Sequence, residues 1–202
     1  MGFDEIIGML SDEREYAKEN FVPIIRDKSA EYLYNFVKQN NISTILEIGT
    51  AIGYSGSIML SAGAKRLTTI DINEKSLAVA KNTFAKLGYG DSVLIYHDDA
   101  SRVLEKLVAN GERFDMIFLD GAKGQYLHYL DNLSRLIKKE GVIFADNVLL
   151  QGMVESKEKI PHRKRTMVVN LRRYLERVNE PPFSTELIRI EDGMAITRYK
   201  GE

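Results

Sequence analysis

Short apolar runs alternate with helix-length segments along most of this chain, and that rhythm restricts the folds open to it. The runs are Thr44–Ile48, Arg66–Ile70, Ser92–Tyr96, Phe114–Leu119 and Val142–Ala145. Between them lie predicted helices at about Tyr54–Ser61, at Asn73/Glu74 through Phe84 with a stop at Gly88, at Ala100–Ala109, and at Gln125–Lys138 with a stop near Gly141. Strands that alternate with helices predict an α/β chain, a mostly parallel sheet with helices on both faces. Ligands of such sheets bind beyond the strand C-termini. Polar residues gather at those ends: Glu47, Asp71, Asp99, Asp120, Asp146 and Asn147.

The first strand leads into Leu46-Glu47-Ile48-Gly49-Thr50-Ala51-Ile52-Gly53, followed by Tyr54 and Ser55. This is a strand, a tight glycine turn and a helix start, where a ligand can approach the backbone closely. Asp71 follows Gly49 by 22 residues at the end of the second strand. A carboxylate about 20 residues on is where nucleoside-binding α/β folds hold ribose hydroxyls. The glycine spacing is G-x-x-x-G, not that of dinucleotide folds. A plain strand-to-helix connection with Asp71 as a helix N-cap is the alternative. No Gly-Lys-Ser/Thr follows, which argues against a phosphate loop.

The remaining elements frame this centre. Residues 1–40 read as helices interrupted at Pro23, with Ala30, Leu33, Tyr34 and Val37 as an apolar stripe. A basic segment after the fifth strand holds a helix, about Arg163–Val178, ended by Pro181-Pro182. Two late strands, Glu186–Ile190 and Met194–Tyr199, flank a hairpin signal at Asp192-Gly193. No linker divides the 202 residues, so one domain is expected.

Composition excludes several chemistries. Net charge is −1, so the molecule has no strong overall field. Without cysteine there is no disulfide, thiolate metal site or catalytic thiol. No apolar run reaches membrane-spanning length, and the N-terminus lacks a basic region followed by an apolar one, so a cytoplasmic protein is expected. Charge is uneven, however. Residues 1–20 carry six acids against two bases, a net of −4, and residues 155–177 carry eight bases against three acids, a net of +5.

Asp120, Asp146 and Asn147 end neighbouring strands. Two carboxylates and an amide oxygen form a hard oxygen set suited to Mg²⁺ or Ca²⁺ and not to zinc. Helix capping and a turn are the alternative roles of these residues. Lys123, three residues beyond Asp120, can share one cavity with it. An amine beside a divalent cation loses its proton more readily and can accept one from a hydroxyl.

Three segments carry a resemblance: Leu46 through Ser55, Phe118-Leu119-Asp120-Gly121-Ala122-Lys123, and Asp146-Asn147-Val148-Leu149-Leu150-Gln151-Gly152. Together they resemble the cation-dependent class I O-methyltransferases that use S-adenosylmethionine, the group of catechol and caffeoyl-CoA O-methyltransferases. The likeness extends to Asp192-Gly193-Met194-Ala195. It implies a Rossmann-like fold with a seven-stranded, mostly parallel sheet and one antiparallel C-terminal strand. Residues 1–202 would be a single methyltransferase domain, with a helical cap over 1–40 and a basic helical insertion over 153–180. Glu47, Gly49, Tyr54 and Ser55 would line the methionine part of the cofactor, Asp71 its ribose, and Asp99 and Ala100 its adenine. Ile25 would help cover the cofactor, and Asp120 would also face it. Asp120, Asp146 and Asn147 would hold Mg²⁺ (or Mn²⁺ or Ca²⁺), and Lys123 would be the general base. Asp98 stands where relatives often have glycine, which leaves open whether Asp98 or Asp99 meets the adenine. A homodimer is implied, through the N-terminal helices.

Val22-Pro23-Ile24-Ile25, Lys123-Gly124-Gln125-Tyr126 and Pro161-His162-Arg163-Lys164-Arg165 are similar to the bacterial tRNA 5-hydroxyuridine methyltransferases. That likeness implies tRNA as partner and 5-methoxyuridine at the wobble position as product. Arg163, Lys164, Arg165, Arg172 and Arg173 are then candidates for RNA phosphates. Tyr126, Tyr129 and Tyr174 are either stacking platforms or ordinary core. A small catechol-like phenol is the alternative acceptor, and a non-catalytic cofactor-binding module is a further alternative that the complete set of Asp120, Lys123, Asp146 and Asn147 disfavours.

Overall fold

The computed structural model describes residues 1–201. Two compact units divide the chain between Val103 and Leu104. The first comprises α1 (Phe3–Met9), α2 (Ser11–Glu19), α3 (Asp27–Gln39), β1 (Thr44–Ile48), α4 (Tyr54–Ser61), β2 (Arg66–Asp71), α5 (Glu74–Lys86) and β3 (Val93–His97). Helix α6 (Ala100–Ala109) carries the division, and β4 (Phe114–Leu119), α7 (Tyr126–Leu136), β5 (Ile137–Ala145), α8 (Arg165–Arg177), β6 (Phe183–Ile188) and β7 (Met194–Tyr199) complete the second. The strand order is β3-β2-β1-β4-β5-β7-β6 in a seven-stranded sheet. Its paired strands run parallel except where β7 meets β5 and β6, so β7 is the reversed strand the sequence predicts.

In the first unit every residue of β1 is buried, as a strand covered on both faces must be. The α3 stripe of Ala30, Leu33, Tyr34 and Val37 is buried as predicted. Asn73 caps α5 by accepting the Ser76 N–H at 3.1 Å. β3 lies one residue later than Ser92–Tyr96, because Gly90–Ser92 close a 3-10 turn ahead of it.

The second unit departs further from expectation. Helix α7 ends at Leu136, not Lys138, and β5 begins at Ile137, five residues before the predicted strand. Ile137 pairs with Phe114 and Val142 with Met116, so β5 advances five residues while β4 advances two. The surplus forms a bulge with Glu140 at φ 60°. Gly141 is therefore no helix stop. A Cβ there would lie 2.7 Å from both the Ile137 side chain and the Lys138 carbonyl. β6 starts at Phe183, three residues early, because buried Phe183 lies opposite Tyr199. Arg189 and Ile190 leave the ladder to form the turn into β7. Tyr126, Tyr129 and Tyr174 are all buried, so they are core and not base platforms. Among the described residues no helix is long and apolar enough to cross a membrane.

Candidate functional site

In the first unit the glycine turn is braced from behind. Glu47 is fully buried and accepts hydrogen bonds from the Ser55 hydroxyl at 2.5 Å and the Thr69 hydroxyl at 2.6 Å. Thr69 sits opposite Glu47 in the β1–β2 register, and its hydroxyl also meets that of Thr50 at 2.6 Å. Charge-assisted bonds to a buried carboxylate are the strong kind. Glu47 thus ties the strand, the turn and the first turn of α4 together.

The turn itself needs unusual backbone. Gly53, the N-cap of α4, has φ 79°, and a Cβ there would lie 3.0 Å from the Phe84 ring. The Gly49 and Thr50 N–H groups both reach the Ile70 carbonyl, at 2.9 and 3.3 Å. Asp71 closes the turn from the next strand: one carboxylate oxygen accepts the Ala51 N–H at 2.8 Å and the other the Asn73 N–H at 2.9 Å. Asp71 remains half-buried. Tyr54 is buried, and its burial raises the hydroxyl pKa against the opposing charge of Arg14. Arg14 is itself paired with Asp27 at 2.8 Å. Ile25 is buried in this unit.

At the end of β3 both aspartates have partners. Asp98 pairs with Arg102 at 2.6 Å, one helical turn on. Asp99 accepts the Ser101 N–H at 2.9 Å and starts α6, while Ala100 is its first residue and half-buried.

In the second unit, β4 and β5 bring Asp120 and Asp146 side by side, since Leu119 pairs with Ala145 and the Asp146 N–H reaches the Leu119 carbonyl at 3.0 Å. Lys123 donates to Asp120 Oδ1 at 2.9 Å and to the Asp146 backbone carbonyl at 3.4 Å. Ala122, at φ 50°, turns the chain so that Lys123 doubles back over the strand end. Asp146 is fully buried and neither carboxylate oxygen has a hydrogen-bond partner. Burial, then the neighbouring Asp120, push its pKa from the ordinary 3.8 up to about 7, against the pull of Lys123 and of the Asn147 amide. That amide lies near without meeting hydrogen-bond geometry. Buried polar atoms left without partners are rare and costly.

Two orphaned oxygens beside a second carboxylate and an asparagine fit a hard divalent cation, which would satisfy both. Asn147 has φ 51°, a conformation asparagine tolerates better than most residues. Among the described residues no three His, Cys, Asp or Glu side chains gather as a metal cluster. The set here is two carboxylates completed by an amide.

The segment after Asn147 is held from two sides. The Val148 N–H reaches the Gly193 carbonyl and the Leu149 N–H the Asp192 carbonyl, both at 3.0 Å, and the Asp192 carboxylate accepts the Gln151 N–H. Arg172 on α8 donates to the carbonyls of Val154 (2.7 Å), Met153 (3.2 Å) and Ser156 (2.7 Å). Arg172 is therefore committed to this loop by three bonds, a role the other candidate cations of the segment do not share. Arg163, Arg165 and Arg173 are exposed and Lys164 is half-exposed. Nothing local marks the Arg172 and Asp192 tethers in the sequence, because their partners are backbone carbonyls and amides brought near only by the fold.

A family profile described as O-methyltransferase matches residues 7–200. A relative from Arabidopsis thaliana, described as a candidate caffeoyl-CoA O-methyltransferase, is 30% identical over 173 residues, covering 83% of this chain and 74% of the relative. A solved structure of a candidate caffeoyl-CoA O-methyltransferase from Staphylococcus aureus is 31% identical, with a TM-score of 0.84 over 98% of each chain. The O-methyltransferase TomG from Streptomyces achromogenes, solved with S-adenosylmethionine, is 25% identical, with a TM-score of 0.85 over 95% of this chain and 89% of that one.

Proposed function

The chain belongs to the O-methyltransferase family, and on that premise we propose that it methylates a hydroxyl from S-adenosylmethionine with help from a divalent cation, its acceptor being 5-hydroxyuridine at the wobble position of tRNA. The observation that carries the proposal is Asp146, buried and unpartnered beside the Asp120–Lys123 pair. The glycine turn braced by Glu47, together with half-buried Asp71, supports the methyl donor as a nucleoside.

A divalent cation held by Asp120, Asp146 and Asn147, Mg²⁺ above all, would supply a Lewis acid that makes an acceptor hydroxyl more acidic. Lys123 spends its charge on Asp120 at 2.9 Å. As a general base, Lys123 Nζ, held over the strand end, would take the proton that leaves the hydroxyl. The carbon–sulfur bond of the sulfonium breaks as the carbon–oxygen bond forms, and the sulfur leaves as a thioether. The remaining task is alignment of oxygen, methyl and sulfur.

The acceptor must offer a hydroxyl beside a second oxygen, as the 5-hydroxyl and 4-carbonyl of 5-hydroxyuridine do. Exposed Arg163, Arg165 and Arg173, with Lys164, support an RNA substrate, because phosphate contacts dominate its affinity. Replacing Arg163, Lys164 and Arg165 with alanine should raise KM for tRNA and flatten its salt dependence by about one unit of slope per lost phosphate contact. Turnover of a small catechol should change little. If the triple variant handles tRNA like the parent, or the parent does not methylate tRNA, the small-phenol acceptor suggested by the caffeoyl-CoA relative is the correct one.

A further inference from the structure

Helix α8 does more than display cations. Its buried face is apolar, with Val168, Leu171 and Tyr174, yet two polar side chains turn inward between them. The Asn170 amide nitrogen donates to the Gly124 carbonyl at 2.8 Å, one residue beyond Lys123. Arg172 donates to three carbonyls at Met153, Val154 and Ser156, in the loop that follows Asn147. Both loops hold their shape in backbone that few residues adopt: Ala122 has φ 50°, and Leu150, Gln151 and Gly152 have φ 48°, 57° and 76° in succession. Such segments persist only where their surroundings over-determine them. One helix thus grips both strand-end loops of the second unit through side chains two residues apart.

We infer that Asn170 and Arg172 are positioning residues: Asn170 sets the direction of Lys123 and Arg172 the direction of Asn147, each through the backbone it holds. This rests on the role proposed above for Lys123 and Asn147. The chemistry demands such support. A general base must lie within hydrogen-bond reach of the proton it takes, and misplacement by about 1 Å costs on the order of 10²-fold. Lys123 reaches over the strand end from a single 3-10 turn, Lys123–Gln125, which has no side-chain cap of its own. Its anchor to α8 is the Asn170–Gly124 bond. Loss of outer partners of this kind costs roughly 10–100-fold in activity or metal affinity.

The test is the isosteric Asn170→Asp, which keeps the volume and replaces the donor with a second acceptor facing the Gly124 carbonyl. At saturating donor and with whichever acceptor the parent methylates, tRNA or a small catechol, kcat should fall roughly 10–100-fold. KM for S-adenosylmethionine should stay within about twofold, because no donor-binding residue is touched. Amide hydrogen exchange should quicken at residues 121–126 and stay unchanged at 148–156. Arg172→Lys, which keeps the charge but has one nitrogen for three carbonyls, should give the reverse pattern. Asn170→Gln, which keeps the amide donor on a longer arm, should recover part of the rate that Asn170→Asp loses. A parent-like kcat in Asn170→Asp, or exchange that rises equally in both loops, overturns the inference while Lys123→Ala still turns over far more slowly than the parent. If Lys123→Ala itself turns over like the parent, the role of Lys123 fails and the inference falls with it.

Discussion

Replacing Asp146 with asparagine should make the metal-free protein more stable and the enzyme inactive, and the stability gain should depend on pH in a defined way. Unfolded, the Asp146 carboxyl ionises at its ordinary 3.8, whereas in the folded chain burial and Asp120 hold its proton up to about 7. Between those values the folded state binds more protons than the unfolded one. Stability therefore falls as pH rises through that interval and stays at the lower level above it. At ~1.4 kcal/mol per pH unit, an interval of roughly three units amounts to ~4 kcal/mol. Asparagine is neutral at every pH and escapes that cost, but its amide inherits a site without partners, at ~1–2 kcal/mol. The net gain for Asp146→Asn is ~2–3 kcal/mol at about pH 8, a rise in Tm of about 5–10 °C for a chain of this size. At about pH 4 the titration difference is gone and only the amide penalty remains, so the variant should be equal to the parent or slightly less stable. Thermal unfolding in EDTA at the two pH values, with methyl transfer measured in parallel, reads both effects. Added Mg²⁺ should raise the Tm of the parent at about pH 8 and leave that of the variant unchanged. A variant no more stable than the parent at about pH 8, or equally stabilised at both, would refute the reasoning that burial of an unpartnered Asp146 carboxylate costs the fold stability.

Lys123→Ala should lower kcat by about 10²–10⁴-fold with little change in S-adenosylmethionine affinity, since the groups it bonds among the described residues are Asp120 and the Asp146 carbonyl; a pH–rate profile that keeps the parent's height would show that an external base suffices. Gly53→Ala should destabilise the fold by ~1–2 kcal/mol and weaken cofactor binding, because φ 79° is unfavourable for alanine and its Cβ would press on Phe84 at 3.0 Å; unchanged Tm and affinity, by thermal scan and titration, would show that the turn relaxes freely.

Much of the fold was legible because its central strands are almost wholly buried. β1, β4, β7, α4 and α6 have the predicted bounds, since a continuous apolar run or an amphipathic stripe marks them locally. The misses share a cause. Ile137-Lys138-Lys139-Glu140-Gly141 reads as the tail of a helix with a glycine stop, yet Ile137 is drawn into the sheet by Phe114, a partner distant in sequence. Phe183 is likewise placed by Tyr199. Strand propensity depends on cross-strand neighbours that no local window contains.

The same division holds within the site. That Asp120 and Asp146 end neighbouring strands was legible, because a strand that closes on a carboxylate is marked in its own short run. The tether at Arg172 was hidden for the opposite reason. A sequence shows that a guanidinium exists in a basic run and not what it donates to, so five neighbouring cations look interchangeable. The fold separates them: Arg172 is held by three carbonyls, exposed Arg165 donates to the Ile160 carbonyl at 3.1 Å, and Arg163 and Arg173 face solvent. Net charge over 155–177 therefore overstates what the segment can offer to RNA, and a mutational scan of that helix should be read residue by residue. If tRNA is the acceptor, loss of Arg173 should reduce the salt slope, whereas loss of Arg172 should loosen the loop after Asn147 and reduce turnover on any acceptor, tRNA or catechol alike.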